Sequence, residues 1–264
     1  MTDSPVLWEL DDRGVATITL NRPAVNNAYD DTLIDALLAA MDALAGQRTL
    51  RAVVLKGNGR HFQAGADLTW INAVRQRSPA ENEAASRATF AAVQRLNTLP
   101  LPTVALVHGA CFGGGTGVIA ACDVVIAAEN SLFSIAEVRW GLTAAIIVPQ
   151  LCDAIGARQV RRYALTGERF GAAEARRIGL VHEVVPPDEL DAAGARTVAQ
   201  LLANAPNALA ETKRLALESA FGGRPPDHAD WDGLVHAHAA KRQSAEAAEG
   251  LASFAEKRDG RWTG

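Results

Sequence analysis

Two periods of apolar residues alternate along the first 185 or so positions. The period of two in Val15–Leu20 predicts a β-strand, whereas the apolar residues of 33–44 recur every three or four positions, as in a helix. Asp30 or Asp31 is placed to cap the start of that helix, and Gly46 is placed to end it.

The same patterns continue down the chain. Strands are predicted at 52–55, 103–107, 124–127, 132–135 and 181–185, and helices at 78–99, 113–121, 158–165 and 172–178. From position 188 on the pattern is helical apart from a Gly/Pro-rich break at 222–226, which is a hinge or an ordinary loop. This order predicts an α/β fold with a helical C-terminal part.

Charge and composition exclude several functions. The 264 residues include 26 basic and 30 acidic ones, and a net charge of −4 argues against a nucleic-acid binder. The N-terminal residues show no secretory leader. The longest apolar stretch, 117–128, is interrupted by Asp123, so no membrane span is predicted. We therefore expect a cytoplasmic protein.

Cysteine and histidine offer no obvious chemistry. Cys111, Cys122 and Cys152 are too scattered for a disulfide framework and fit a reducing compartment. The six histidines lack the spacing of a metal site, and no serine lies in a G-x-S-x-G elbow. Neither a metal centre nor a serine hydrolase is expected.

Two glycine-rich segments, 57–68 and 108–117, each follow a short apolar strand. Neither has the P-loop or the G-x-G-x-x-G pattern. One such loop alone is most often a tight turn. Two of them favour a pair of free backbone amides that bind an anion, as in an oxyanion hole.

Several motifs in this order resemble the enoyl-CoA hydratase/isomerase (crotonase) superfamily. They are Asn21-Arg22-Pro23 with Asn27-Ala28, the segment 60–68, the run 109–117 leading to Asp123, 133–142, 162–170, 175–185 and 254–258. The resemblance covers nearly the whole chain. It implies a crotonase-like spiral of ββα units over 1–195 that carries an acyl-CoA site, and a helical trimerisation region over 196–264.

The resemblance also implies site residues. Glu137 is the expected acid–base residue, and the backbone amides of Ala66 and Gly114 are the expected oxyanion hole. Residues expected to contact coenzyme A or the acyl chain are Arg22, Ala24, Val25, Ala64, Asp67, Leu68, Gly117, Phe254 and Lys257. Asp67 is also placed to cap a helix, and Lys257 to be a solvated cation at a helix end. Phe254 and Lys257 match residues that reach coenzyme A from a neighbouring subunit.

Gly117 is a departure from the family, because hydratases commonly have a second glutamate there. Its lack of bulk and charge suits a branched or carboxylated acyl chain, as in the bacterial methylglutaconyl-CoA hydratase-like members that the chain resembles. Trp140 is expected in the core. Arg139 is expected to be a structural ion-pair partner or a counter-ion for an acidic substrate.

The expected activity is that of a hydro-lyase, in which Glu137 acts alone on an enoyl-CoA thioester. The alternatives are an isomerase, a decarboxylase or a non-catalytic acyl-CoA-binding protein. No cofactor is expected beyond the coenzyme A of the substrate. The resemblance also implies a homotrimer or a dimer of trimers, and roles in fatty acid metabolism or leucine degradation.

Overall fold

Six strands form the main sheet of the computed structural model, which describes residues 4–221 and 244–263. They are β1 (Val6–Leu10), β2 (Val15–Leu20), β3 (Ala52–Gly57), β4 (Thr103–Val107), β6 (Val124–Ala128) and β9 (Glu183–Val185), in that order across the sheet. Only β1 runs antiparallel to its neighbour; the other pairs are parallel. A parallel sheet needs crossover connections, and all four of them in this sheet contain helices.

A second, smaller sheet contains β5 (Ala110–Phe112), β7 (Leu132–Ser134) and β8 (Phe170–Gly171). β5 and β7 are parallel, and β8 is antiparallel to β7. β5 lies within the second glycine-rich segment, 108–117. Its pairing with β7 therefore holds that segment in place.

The helices follow the predicted order. They are α1 (Asp31–Ala45), α2 (Leu68–Val74), α3 (Pro79–Thr98), α4 (Gly114–Ala120), α5 (Val148–Thr166), α6 (Ala172–Ile178), α7 (Leu190–Leu202), α8 (Pro206–Phe221) and α9 (Ala245–Glu256). Asp30 caps α1 by accepting a hydrogen bond from the amide of Leu33, and Gly46 is its C-cap, as predicted.

The main sheet separates two apolar cores. Ala16, Ile18 and Leu20 of β2 point into the larger core, which includes residues of α1 and α3. Val15, on the opposite face, points into a smaller core that is covered by α7. The alternation in β2 thus places Ala16, Ile18 and Leu20 on the face of the larger core and Val15, with the half-buried Thr17 and Thr19, on the other face.

The structure adds elements that periodicity did not predict: β1, β5, β8, α2 and the first part of α5. β1 is an edge strand with a mixed burial pattern, and β5 has only three residues, so neither gives a clear repeat. The predicted break at 222–226 lies outside the described residues, as do His228, His236 and His238.

Candidate active site

The amide of Ala66 is left free by the way two loops pair. Tyr29 donates its N–H to the carbonyl of Gly65 (2.9 Å) and accepts from the N–H of Asp67 (2.9 Å). Ala66 lies between these two contacts, so its own N–H faces away from Tyr29. Within residues 4–221 and 244–263, no group accepts a hydrogen bond from this amide.

Asn27 fixes the position of this loop pair. Its buried side-chain amide donates to the carbonyls of Asn58, His61 and Phe62 at 2.8–3.1 Å, and its oxygen accepts from the N–H of Arg22 at 2.8 Å. One buried side chain thus joins the loop around Tyr29 to the first glycine-rich segment.

The second free amide belongs to Gly114, the first residue of α4. The first N–H groups of a helix have no partner within it, and no described residue outside α4 accepts from this one. The preceding Gly113 has φ +49°, a value that favours glycine. A methyl group on Gly113 would lie 3.0 Å from Oε1 of Glu137 and 3.8 Å from Cα of Gly65. The two glycine-rich segments and Glu137 therefore meet at one point.

Glu137 begins a short 3₁₀ helix, Glu137–Trp140, directly after the second sheet. Its Oε2 atom is buried and has no hydrogen-bond partner among the described residues. Burial raises the pKa of this carboxyl above the usual value of a glutamate. A carboxyl group whose pKa is raised in this way is suited to take up and return a proton.

Tyr29 contributes an aromatic wall beside the Gly114 amide. A methyl group on Gly114 would lie only 2.5 Å from Cε1 of the Tyr29 ring, so the ring is closely packed on this turn. Burial, and secondarily the charge of Glu137, raises the pKa of Tyr29 to about 12. The phenol therefore stays protonated at neutral pH and can donate a hydrogen bond.

These groups line one cavity of about 650 Å³, within the size range of small-molecule sites. Its walls include apolar side chains of α1, α2 and α3. Glu137 is the single acidic residue among the described ones that line it, whereas three arginines do so. The residues that carry the chemistry or the charge are Tyr29, Gln63, Ala66, Arg75, Gly114, Glu137, Arg139 and Arg169.

Arg22 and Asp67, both expected near coenzyme A, support the loops. Arg22 lies 2.8 Å from a carboxylate oxygen of Asp30 and 3.6 Å from one of Asp67, and it donates to the carbonyl of Ala28 at 2.5 Å. Asp67 caps α2 by accepting from two amides of its first turn, as its alternative interpretation predicted. Neither residue lines the cavity.

The other expected binding residues are divided between the cavity and the surface. Ala64 and Leu68 line the cavity, and Ala24 and Val25 are exposed on the 3₁₀ turn Pro23–Val25. Lys257 is exposed after α9 and does not line the cavity. Phe254 belongs to α9, and its side chain lies outside the described part of the structure. The contacts of these residues with coenzyme A stay predictions.

Two expectations are corrected by the packing. A methyl group on Gly117 would lie closer than 3.0 Å to Cβ and Cγ2 of Ile147, so the room expected beside this glycine is already filled. Gly117 itself does not line the cavity. Trp140, the last residue of the 3₁₀ helix, is 64% exposed and lines the cavity, so it is not part of the core.

Sequence reasoning assigned no role to four of the polar or charged side chains that line the cavity: Tyr29, Gln63, Arg75 and Arg169. Tyr29 directly follows a quoted motif, and Gln63 and Arg169 lie within quoted motifs, although no role was assigned to them. The guanidinium of Arg169 lies 5.3 Å from the centroid of the Phe112 ring. That contact joins positions far apart in the chain, which no local pattern shows.

No group of three or more His, Cys, Asp or Glu side chains in 4–221 and 244–263 could hold a metal ion. No helix in that part of the chain is long and apolar enough to cross a membrane.

A fold with two free amides and one buried carboxyl on an apolar cavity defines a class of enzymes that stabilise an anion next to an acid–base group. A profile of the family "Enoyl-CoA hydratase/isomerase" matches residues 11–264. The chain therefore belongs to the enoyl-CoA hydratase/isomerase family, and its fold is the α/β crotonase fold.

Individual relatives agree with this assignment. A putative enoyl-CoA hydratase of Thermus thermophilus is 34% identical over 251 residues, which are 94% of this chain and 97% of that protein. A Delta(3,5)-Delta(2,4)-dienoyl-CoA isomerase of Dictyostelium discoideum is 31% identical, covering 92% of this chain and 86% of its own. The crystal structure of an enoyl-CoA hydratase from Shewanella pealeana has a TM-score of 0.92 and 34% identity, covering 98% of this chain and 96% of its own.

Proposed function

We propose that the protein is an enoyl-CoA hydratase, which adds water across the 2,3 double bond of an acyl-CoA thioester. The observation that carries the proposal is the meeting of the Glu137 carboxyl with the turn that presents the Gly114 amide, beside the free amide of Ala66. These are the groups that hydration of an unsaturated thioester requires, and they line one cavity.

The role of each group in the reaction follows from where negative charge develops on the substrate. As the oxygen of water forms a bond to C3, the electrons of the C2–C3 double bond move toward C2 and onto the thioester oxygen. The amides of Ala66 and Gly114 donate to that oxygen, and one such donor is typically worth about 10²–10³ in rate. Glu137 takes one proton from the water and then returns a proton to C2, which regenerates the carboxylate.

The acyl chain that we propose is branched or carries its own carboxylate, as in 3-methylglutaconyl-CoA. Because Ile147 fills the space beside Gly117, that space does not support a branched chain. The positive charges that line the cavity do support a carboxylate on the acyl chain. Arg139 and Arg169 line the cavity, and no described carboxylate lies within 4.0 Å of either guanidinium. The Nε atom of Arg139 donates to the carbonyl of Gly167, which leaves its other nitrogens available. A preference for crotonyl-CoA over 3-methylglutaconyl-CoA in steady-state assays would contradict this part.

Isomerisation or decarboxylation is the alternative, because both also need an enolate and Glu137 is a single proton-carrying group. The products separate the possibilities. Incubation with a panel of enoyl-CoA thioesters should give products heavier by one water. A moved double bond at unchanged mass indicates an isomerase, loss of carbon dioxide a decarboxylase, and no product a binding protein.

Glu137→Gln tests the catalytic residue directly. The amide keeps the size of the side chain but cannot accept a proton, so we expect kcat to fall about 10²–10⁴-fold. Glu129→Gln, at an exposed position, is the matched control and should retain wild-type kcat. Equal activities of the two variants would exclude the proposed role of Glu137.

We also propose a homotrimer or a dimer of trimers. Exposed large apolar side chains support it, since Trp140 is 64% and Leu165 72% exposed, far more than large apolar groups in a core. In such an assembly Phe254 and Lys257 could reach coenzyme A in a neighbouring subunit. Analytical ultracentrifugation at several protein concentrations measures the number of subunits.

A further inference from the structure

Tyr29 contacts both halves of the oxyanion hole. Its backbone pairs with the residues before and after Ala66, through hydrogen bonds of 2.9 Å to Gly65 and to Asp67. Its ring packs on Gly114, because the three atoms nearest to a methyl group on that glycine, at 2.5–3.3 Å, all belong to the Tyr29 ring. One residue thus joins the loop that presents the first amide to the helix start that presents the second.

The Tyr29 ring also packs against the indole of Trp70 on α2. The two ring centroids lie 5.6 Å apart at an interplanar angle of 64°, an edge-to-face arrangement that aromatic pairs favour. Trp70 belongs to the first turn of α2, whose N-cap Asp67 directly follows Ala66. The ring therefore contacts both the helix that follows the first amide and the helix that begins with the second.

Backbone hydrogen bonds do not by themselves fix the spacing of the two amides. Gln63 pairs with Ala110 and with Phe112, and these bonds join the two glycine-rich segments before either amide is reached. Beyond them, no hydrogen bond between described residues links 64–66 directly to 113–114. Packing must therefore set the final spacing, and Tyr29 contacts both segments.

We propose that Tyr29 is a positioning residue, whose ring sets the spacing of the Ala66 and Gly114 amides so that both donate to the thioester oxygen. The inference rests on the proposed hydratase function, in which that oxygen becomes negatively charged. Oxyanion donors act at about 2.7–3.1 Å from the oxygen, and a misplacement of about 1 Å in an active site can cost about 10² in rate. The ring carries this role, and the hydroxyl group does not.

The first test compares two variants of Tyr29. Tyr29→Leu removes the ring, and we expect it to lower the kcat of hydration about 10- to 100-fold, with a much smaller change in KM. Tyr29→Phe keeps the ring and should stay near the wild-type kcat. Tyr163→Leu is the control for losing a tyrosine ring and should retain kcat, because Tyr163 packs on Phe170 and does not line the cavity. Circular dichroism checks that each variant is folded.

A spectroscopic measurement reports on the two donors directly. Hydrogen bonds to a thioester oxygen lower the stretching frequency of its carbonyl group. Infrared difference spectra of butyryl-CoA labelled with carbon-13 in that carbonyl are recorded in each folded protein. Tyr29→Leu should shift the band of the bound ligand to higher frequency, and Tyr29→Phe should leave it in place. This ligand has no double bond to hydrate, so the measurement needs no turnover.

Gly114→Ala tests the same contact from the other side. The added methyl group would lie 2.5 Å from Cε1 of Tyr29, so the ring and the turn cannot both keep their positions. Gly114→Ala should therefore lower kcat about 10- to 100-fold in the wild-type background. In the Tyr29→Leu background it should add little, because Cε1 is then absent.

The proposal is overturned if the two losses multiply in the double variant, or if the carbonyl band of Tyr29→Leu stays at the wild-type frequency. An equal fall of kcat in Tyr29→Phe overturns it as well, since the hydroxyl would then carry the effect, and so does an equal fall in Tyr163→Leu. Failure of the hydratase function has a different signature: the wild-type protein gives no hydrated product from any thioester of the panel, while the carbonyl band can still be compared.

Discussion

The collision between Gly117 and Ile147 allows a quantitative test of why α4 carries no second carboxylate. A methyl group at position 117 would lie closer than 3.0 Å to Cβ and Cγ2 of Ile147 and 3.4 Å from its Cδ1. Ile147 is 1% exposed, so its side chain cannot move into solvent. The clash must be relieved by displacing packed atoms.

For Gly117→Ala we expect a net loss of stability of about 1–2 kcal/mol. Overpacking of a core costs about 1–3 kcal/mol, and replacing glycine by alanine inside a helix returns at most about 1 kcal/mol. For a chain of this size such a loss lowers Tm by roughly 2–8 °C. Gly117→Glu adds the burial of a carboxyl to the same collision, so it should destabilise more and gain no hydratase activity.

A double-mutant cycle measured by urea denaturation at fixed protein concentration isolates the contact. Ile147→Val keeps Cβ and Cγ2, so Gly117→Ala should remain destabilising in that background. Ile147→Gly removes all three nearby atoms, and there Gly117→Ala should be neutral or stabilising by up to about 1 kcal/mol. The coupling free energy should lie at about 1–3 kcal/mol. Additive effects in the Ile147→Gly background would refute the reasoning.

Further predictions concern Glu137 and Asp67. Because the folded pKa of Glu137 is raised, its protonated form favours folding, and this contribution is lost as pH rises through that pKa. The difference in unfolding free energy between Glu137→Gln and wild type should therefore change in favour of the variant as pH rises from 5 to 8. A change in favour of the wild type would contradict the burial argument. The kcat/KM of wild-type hydration should fall as pH drops through the same raised pKa, since the ionised carboxylate is the base, and a pH–rate profile measures this. Asp67→Ala removes the cap of α2 and should cost about 1 kcal/mol of unfolding free energy, whereas Asp67→Asn should cost less.

The sequence by itself determined the order of the main elements and the groups that carry the chemistry. Alternation in Val15–Leu20 fixes which side chains face each core, because successive residues of a strand point to opposite sides. Asp30 and Gly46 bound α1 through local hydrogen bonds and geometry. Family motifs indicated the two glycine turns and Glu137, which the fold brings together on one cavity.

The tertiary structure alone decided which distant residues fill the space between those elements. Ile147 beside Gly117, Gln63 behind Gly115 and the exposed ring of Trp140 follow from how loops and helices pack, not from any repeat along the chain. β5 forms because β7 is available for pairing, although residues 113–131 separate the two strands in the chain. Periodicity records which residues share a face, whereas the contents of a cavity depend on contacts between faces that are remote in sequence.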